Sequence, residues 1–288
     1  MKILVTGAKG QLGNELRALS GEFPLFDFLY TDVEELDITD SAKVDKFFAD
    51  NKPDAVINCA AYTAVDKAES DEPLALLINA TAVGILAGAA ANYKALLVHI
   101  STDYVFDGTA FSPYQETDKT NPVSAYARTK YAGEQAVEKY ADKALIIRTS
   151  WLYSAFGNNF VKTILKYGKE RGLLNIVLDQ IGTPTYARDL ARAILTIIPQ
   201  AAKSDGIEIY HYSNEGVASW YDFAKEIVES SGLDCRINPI GTKDYPLPAA
   251  RPFYSVLDKS KLKEKFSIEI PYWRDSVKHC LLRLEKVV

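Results

Sequence analysis

Cysteine is scarce in this chain: Cys59, Cys235 and Cys280 are scattered and form no Cys-x-x-Cys motif. Neither a disulfide framework nor a zinc site is therefore indicated, and a reducing compartment such as the cytoplasm fits best. Long hydrophobic runs are also missing. No apolar stretch approaches the roughly 18 residues that a membrane span needs, so we expect no membrane segment. Met1 leads straight into an apolar strand, so we expect no secretory signal peptide.

Basic residues are not in excess either, because 33 Lys and Arg stand against 38 Asp and Glu, which gives a net charge of −5. Nothing in the sequence suggests a basic stripe, so nucleic acid is not expected as a partner. With 48% hydrophobic and 25% charged residues, the composition is that of a soluble globular protein. The 288 residues can form one large domain, or one domain with a smaller companion.

Three glycines follow the first predicted strand. Residues 2–5 are a short apolar run, Gly7, Gly10 and Gly13 come next, and residues 15–19 have helical spacing. In a strand–turn–helix context, Gly7 allows a tight turn, Gly10 lets the backbone approach a pyrophosphate, and Gly13 lets the helix pack closely on the strand. The helix N-terminus would face the phosphates. The motif predicts a dinucleotide-binding crevice, although such glycines can also form a simple turn.

Acidic and small residues follow the next two predicted strands, at residues 25–30 and 55–57. Asp32 lies 19 residues beyond the last glycine of the turn, where an acid commonly binds the adenosine ribose hydroxyls. A carboxylate there repels the additional phosphate of NADPH and favours NADH; alternatively, Asp32 only caps a turn. Ala60 and Ala61 follow the later strand, and their small side chains would let a flat cofactor lie close to the backbone.

A helix is predicted over residues 124–139, and it carries Tyr126 and Lys130 four residues apart on one face. A free tyrosine has a pKa of about 10. A nearby ammonium favours the phenolate and lowers that pKa, so the pair can serve as a general acid–base device. The same spacing also arises by chance, because the chain contains 17 tyrosines.

Strands alternate with helices up to Ser150, which predicts an α/β fold with a doubly wound, Rossmann-like parallel sheet and right-handed crossovers. The predicted strand 96–100 ends in Ser101 and Thr102, whose hydroxyls would meet a ligand at the carboxyl end of the sheet, or would only form local hydrogen bonds. The remaining predictions for the first half are a helix ending near residue 48, a helix at 73–92 and a strand at 144–148.

The pattern becomes irregular after Ser150, and we predict a smaller, mixed α/β substrate-binding lobe there. Its predicted elements are helices at 160–169, 187–198, 219–230 and about 273–284, strands at 175–178 and 206–213, and a proline-rich loop at 238–252. We expect residues 1–150 to form a dinucleotide-binding domain, with added elements from about 175–205. Residues 151–288 would form mainly the substrate-binding lobe, interleaved with the first.

Several of these motifs together resemble the extended short-chain dehydrogenase/reductase superfamily. They are the glycine turn, the Asn58-Cys59-Ala60-Ala61 segment, and Ser101-Thr102-Asp103 ahead of the Tyr126–Lys130 helix. Within the superfamily, further stretches are similar to the dTDP-4-dehydrorhamnose reductases. These stretches are 61–69, 101–108, 148–153, 157–160, 179–185 and 250–252. The resemblance extends from the first strand to about residue 265.

The resemblance implies reduction of the C4 ketone of dTDP-4-dehydro-L-rhamnose by NADPH or NADH, the last step of dTDP-rhamnose biosynthesis. It implies that Tyr126 donates a proton to the carbonyl oxygen, that Lys130 lowers the Tyr126 pKa and holds the nicotinamide ribose, and that Thr102 hydrogen-bonds the same oxygen. Further cofactor contacts are implied for Gly7, Gly10, Gln11, Leu12, Gly13, Asp32, Asp37, Ile38, Ala60, Ala61, Tyr62 and Ser101. Further contacts with the dTDP-sugar are implied for Thr63, Val65, Asp103, Tyr104, Trp151, Asn159 and Arg251.

Alternatives stay open beside these implied roles. Arg251 would fork two oxygens of the diphosphate, or would form a surface ion pair. Trp151 would face the sugar, or would be a core aromatic. The whole chain could instead resemble the non-catalytic, NAD(P)-binding regulatory subunit of methionine adenosyltransferase. It could also be a sugar-nucleotide epimerase or dehydratase, since Asp103 occupies the place of the acid that a dehydratase uses.

The resemblance also raises the question of a metal, because some members form homodimers bridged by Mg²⁺ held by glutamates. Glu15 matches the first such position, the second falls on the shorter Asp189, and the third has no clear counterpart. A hard cation needs several oxygen ligands in good geometry, so Mg²⁺ is doubtful and we expect no required metal. Either a monomer or a homodimer is compatible with the sequence.

Overall fold

The structure is a computed structural model that describes residues 1–287, with the side chains of residues 1–284. The strands are β1 (Lys2–Thr6), β2 (Asp27–Tyr30), β3 (Ala55–Asn58), β4 (Leu96–Thr102), β5 (Lys143–Thr149), β6 (Leu152–Tyr153), β7 (Leu173–Val177), β8 (Ile181–Gly182), β9 (Thr185–Tyr186), β10 (Gly206–His211), β11 (Ala218–Ser219) and β12 (Arg236–Ile240). The helices are α1 (Gln11–Leu19), α2 (Ser41–Asn51), α3 (Val65–Ala68), α4 (Glu72–Leu76), α5 (Ala82–Asn92), α6 (Ala125–Tyr140), α7 (Phe160–Arg171), α8 (Ala187–Ala201), α9 (Trp220–Ser231), α10 (Ser260–Phe266) and α11 (Trp273–Val287).

Six parallel strands form the main sheet in the order β10-β5-β4-β3-β1-β2. Alternate residues of each strand point to opposite faces, so Ile3, Val5 and Ile57 pack against α1 and α8, whereas Leu4 and Val56 pack against α2, α5 and α6. Helices thus cover both faces, which is why these strands are almost continuously apolar. The predicted doubly wound parallel sheet is confirmed.

The order of the strands reverses at β1, which has β2 on one side and β3 on the other. In open α/β sheets a crevice forms at such a switch point, beyond the carboxyl ends of the strands. Here the glycine turn follows β1, and Ala60 and Ala61 follow β3. The fold therefore brings the two predicted cofactor segments to the same crevice.

A second core lies in the other lobe. The parallel pair β7 and β12 packs with α7, α9 and α11 around Phe223, Ile227 and Trp273. The second half of the chain also contributes to the main sheet, because α8 packs beneath it and β10 is its edge strand beside β5. Of the segment 175–205, α8 packs on the main sheet, whereas residues 175–177 belong to β7, which pairs with β12.

Several predicted boundaries were wrong. Residues 236–240 form a strand, whereas a loop was predicted over 238–252; Pro239 is tolerated because β12 lies in a two-stranded sheet and has a free edge. β2 begins at Asp27 instead of residue 25, and α1 begins at Gln11, directly after the glycine turn. Helix α10 was not predicted. The predicted helix 73–92 contains a π-helical turn at Leu77–Thr81, between α4 and α5.

The long helix Glu72–Asn92 corrects a further expectation. It is long and apolar enough, by length and composition, to cross a membrane, although no such segment was predicted. Half of its most apolar window is buried inside the protein, where it packs on α6 and the sheet. The core helix of a globular protein meets the same criterion, so this helix by itself is weak support for a membrane location.

Candidate active site

The turn after β1 has no room for a side chain at Gly7 or Gly13. Gly7 has a φ of +62°, and a Cβ on it would lie 2.6 Å from the backbone nitrogen of Ala60. A Cβ on Gly13 would lie 2.6 Å from the Cα of Ala8, so the close approach at Gly13 is between α1 and the turn, whereas the sequence predicted close packing of the helix on the strand. Gly10 is the N-cap of α1 and offers no side-chain cap, which leaves the first N–H groups of the helix for an anion.

A cavity of about 590 Å³ opens at this turn. Its lining includes the predicted cofactor residues Gly7, Gly10, Asp32, Asp37, Ile38, Ala60 and Ala61. The carboxylate of Asp32 accepts hydrogen bonds from the backbone N–H groups of Lys9 and Val33, each at 2.9 Å. Asp32 therefore both stabilises its turn and faces the cavity. The glycine cradle and the wide apolar slot fit a dinucleotide.

A second cavity, of about 560 Å³, adjoins the first along Gly10, Cys59 and Ala61. It brings together residues that are far apart in the sequence. Its lining includes the predicted residues Gln11, Leu12, Thr63, Val65, Ser101, Thr102, Asp103, Tyr104, Tyr126, Lys130, Trp151 and Asn159. Gly13 and Tyr62 do not line either of the two cavities. All three predicted catalytic residues therefore face one space beside the cofactor crevice.

The proton of Tyr126 is held tightly in this cavity. Burial raises the pKa of Tyr126 to about 12, although a hydrogen bond with Thr102 acts in the opposite direction. The predicted lowering of this pKa by Lys130 is not seen. Burial also raises the pKa of the neighbouring Asp103 carboxyl to about 7. A protonated phenol beside a hydroxyl suits donation of a proton to a developing oxyanion.

Lys130 is almost fully buried, and its Nζ is directed to the end of β4. The Nζ donates to the carbonyl of Ile100 at 2.6 Å and lies 3.4 Å from Nε2 of His99. Burial lowers the pKa of Lys130 to about 8, while the carboxylate of Glu134 acts in the opposite direction. The lysine can therefore gain or lose its proton near neutral pH.

Two supporting groups were missed by the sequence analysis. Asn79, in the π-helical turn, accepts from the N–H of Tyr62 at 2.8 Å, and donates to the carbonyl of Tyr62 and to Thr129 of α6. It thereby fixes the segment after Ala61 to the helix that carries Tyr126. Asn79 lies in the π-helical turn Leu77–Thr81, and the spacing of the sequence contains no sign of that turn.

The second missed group is the ion pair of Glu134 with Arg148. Both side chains are buried, and the guanidinium forks the carboxylate at 2.9 and 2.7 Å. The hydroxyl of Ser101 donates to the same carboxylate. The pair thus connects α6, β4 and β5 directly behind the catalytic residues. Ser101 lines the cavity as predicted, but its hydroxyl is used by Glu134.

A stacked tryptophan pair lines the cavity of Tyr126. Trp151 has a φ of +46° and stacks on Trp220 with 3.6 Å between ring centroids. Asn159 donates to Oε1 of Gln11 at 3.0 Å, which joins this side to the cofactor helix. Trp151 is only partly buried and lines the cavity, so it is not simply a core aromatic.

Arg251 lies outside the cavity of Tyr126 and lines a third one, of about 540 Å³. That cavity shares Tyr104 and Trp220 with the second. The guanidinium of Arg251 binds the carboxylate of Asp66 at 2.7 Å, so the predicted surface ion pair does form. Because it also faces the third cavity, Arg251 remains placed for an anionic group.

Glu15 and Asp189, the positions at which the resemblance raised the question of Mg²⁺, make other contacts. Glu15 is fully buried and contacts Nη1 of Arg283 at 2.6 Å, Nη1 of Arg188 at 3.6 Å and the hydroxyl of Ser154 at 2.7 Å. Asp189 accepts instead from Asn214 at 2.8 Å. Within the described residues no cluster of three or more His, Cys, Asp or Glu could hold a metal ion. Guanidinium groups supply the positive charge beside Glu15.

The chain is similar to known proteins over nearly its whole length. A dTDP-4-dehydrorhamnose reductase from Burkholderia thailandensis is 45% identical, over 98% of each chain. A crystal structure of such a reductase from Clostridium acetobutylicum superposes with a TM-score of 0.93 at 46% identity, over 99% of this chain and 100% of that one. The reductase from Bacillus anthracis, solved in complex with NADP, has a TM-score of 0.93 at 39% identity, over 98% of this chain and 99% of that one. Residues 1–286 also match the family described as the RmlD substrate binding domain, and the chain belongs to that family.

Proposed function

We infer that this protein is an NAD(P)H-dependent oxidoreductase that reduces the C4 ketone of dTDP-4-dehydro-L-rhamnose to dTDP-L-rhamnose. The main support is one cavity that contains Thr102, Tyr126 and Lys130 and adjoins the glycine crevice. The near-full-length similarity to dTDP-4-dehydrorhamnose reductases supports the choice of substrate. Fold alone would not distinguish this reaction from others on the same scaffold.

We propose that Tyr126 donates its proton to the C4 oxygen while Thr102 hydrogen-bonds the same oxygen. The bound reduced nicotinamide supplies the hydride. Lys130 would hold the nicotinamide ribose, and the glycine turn would receive the pyrophosphate. Asp32, Asp37 and Ile38 would border the adenosine half, since they line the outer part of the crevice.

The sugar nucleotide would extend away from Tyr126 into the second lobe. Thr63, Val65, Asp103, Tyr104, Trp151 and Asn159 would surround the sugar. The adjoining third cavity would take the nucleotide, with Arg251 forking the diphosphate. Under this proposal residues 1–150, α8 and β10 form mainly the cofactor-binding part, although several of their residues also face the sugar. The remaining elements form mainly the substrate-binding lobe.

The competing functions have less support. A non-catalytic regulatory subunit would not require Thr102, Tyr126 and Lys130 to face one cavity beside a cofactor crevice. A dehydratase function is supported by Asp103 alone, whose Oδ1 accepts a hydrogen bond from the hydroxyl of Thr102 at 3.0 Å. We also propose a cytoplasmic location, which the three free cysteines support.

Absorbance of the reduced nicotinamide tests the proposal. Purified protein is mixed with NADPH or NADH and with dTDP-4-dehydro-L-rhamnose made in situ by the upstream enzymes. We expect decay with the wild type, a loss of about 10²–10⁴-fold in Tyr126→Phe, and no change in Tyr140→Phe, a half-exposed tyrosine at the end of the same helix. If the protein binds a reduced nicotinamide but shows no decay, the proposed function is wrong.

A further inference from the structure

His99 is a buried residue of β4 that none of the proposed steps uses. It lies three residues before Thr102 and is fully buried. Its Nδ1 is 3.2 Å from the amide nitrogen of Asn58, and its Nε2 is 3.4 Å from Nζ of Lys130. His99 thus lies between Asn58, at the end of β3, and Lys130 of α6. Its role depends on which of its two ring nitrogens carries the proton.

The hydrogen bonds of Asn58 answer that question. The backbone N–H of Ala60 donates to Oδ1 of Asn58 at 3.2 Å, and the hydroxyl of Thr6 reaches the same oxygen at 2.7 Å. A backbone N–H can only donate, so the amide oxygen must lie on that side. The NH₂ group of Asn58 therefore faces Nδ1 of His99, and Nδ1 must accept.

The proton of His99 consequently resides on Nε2, the nitrogen that faces Lys130. Burial, and then the charge of Lys130, lowers the pKa of His99 well below its usual range, so the ring is neutral and carries a single proton. An N–H group directed at an ammonium is unfavourable, whereas directed at a neutral amine it forms a hydrogen bond.

We propose that His99 is a positioning residue that donates its Nε2–H to the amine of Lys130 and thereby favours the neutral form of that lysine. The other groups around Lys130 are Glu134 and Tyr126, each one turn away on α6, and Arg148 of β5, which pairs with Glu134. The carboxylate of Glu134 favours the ammonium form of Lys130, but Arg148 partly neutralises its charge. The contact with His99, like burial, favours the neutral amine.

The consequence for the reaction rests on the proposed function. Each turnover removes one proton from Tyr126, which must be replaced before the next. Lys130 lines the same cavity as Tyr126, so its protonation state sets the charge beside the phenolate that each turnover leaves. Without the contact to His99, Lys130 would keep its proton to higher pH.

Three variants separate the two hydrogen bonds of His99. The amide nitrogen of Gln in His99→Gln can take the place of Nε2 and still donate to Lys130. His99→Asn keeps a polar group only at the Nδ1 position, facing Asn58. His99→Phe keeps neither. The pKa of Lys130 is measured by NMR titration of lysine labelled with ¹³C at Cε, with the signal assigned through Lys130→Met.

We expect the pKa of Lys130 to rise by about half to one pH unit in His99→Asn and His99→Phe, and to stay near the wild-type value in His99→Gln. The basic limb of the pH profile for kcat should move upward by the same amount in the first two variants. Unchanged titration in all three variants, or an equal shift in all three, would overturn the proposal. The NMR titration needs no turnover, so this result is independent of whether the proposed reaction is correct.

Discussion

Replacing Arg148 by Met isolates the buried carboxylate of Glu134 and tests how strongly the ion pair behind the active site holds the fold. The exposed fractions of the two side chains are only 3% and 2%. Removing one partner of such a pair leaves an uncompensated charge in the interior, which costs about 3–5 kcal/mol. The guanidinium also lies 5.2 Å from the ring centroid of Phe106, a contact of about 1 kcal/mol.

One contribution acts in the opposite direction. Nη1 of Arg148 is buried without a hydrogen-bond partner among the described residues, so its removal relieves about 1–2 kcal/mol. We therefore expect Arg148→Met to lower the free energy of unfolding by ~3–4 kcal/mol. Urea unfolding measures this change, and an unaltered denaturant slope would show that the unfolded state is unaffected.

Two further variants distinguish the loss of this buried ion pair from other effects of the substitution. The double variant Glu134→Gln/Arg148→Met removes both charges and keeps an amide for Ser101, so it should recover most of the loss. Arg128→Met serves as the control, because its pair with Glu72 is about half exposed and should contribute ~0–1 kcal/mol. The reasoning fails if Arg148→Met costs less than about 1 kcal/mol, or if the double variant is no more stable than the single one.

Three other predictions concern separate parts of the molecule. Burial raises the pKa of Asp103 to about 7 in the folded protein, above its unfolded value, so its contribution to stability is complete below the unfolded pKa and is lost as the pH rises to 7. In Asp103→Asn the free energy of unfolding should therefore fall less steeply with pH between about pH 4 and 7 than in the wild type. The same slope in both proteins would contradict this. Asn79→Ala should weaken NADH binding about tenfold, because Tyr62 loses two backbone hydrogen bonds; unchanged fluorescence titration would refute that role. Arg283→Met should lower the unfolding free energy by ~1–3 kcal/mol, because buried Glu15 loses its nearest cation. Added MgCl₂ should not restore the stability, and a Mg²⁺-dependent recovery in thermal melts would show instead that Glu15 can hold a metal ion.

Local sequence determined much of this protein. The glycine turn, the strand–helix alternation and the Tyr126–Lys130 spacing each lie within a short segment, and their geometry follows from backbone sterics and helical periodicity. They sufficed to predict a doubly wound sheet, a dinucleotide crevice and a single helix face for the catalytic pair. Fourteen of the predicted site residues line the cavity of Tyr126, largely because strand ends of a parallel sheet meet at one edge.

Other features were decided only by the tertiary structure, because they depend on contacts between distant segments and on burial. Arg251 meets Asp66, 185 positions away, and Glu134 meets Arg148 across a helix–strand interface. β12 forms a strand despite Pro239 because β7 pairs with its other edge. The pKa of Tyr126 rises because burial disfavours the phenolate, and the lowering by Lys130 that the spacing predicted does not offset it. Desolvation and long-range pairing are properties of the packed chain, and no local pattern of residues specifies them.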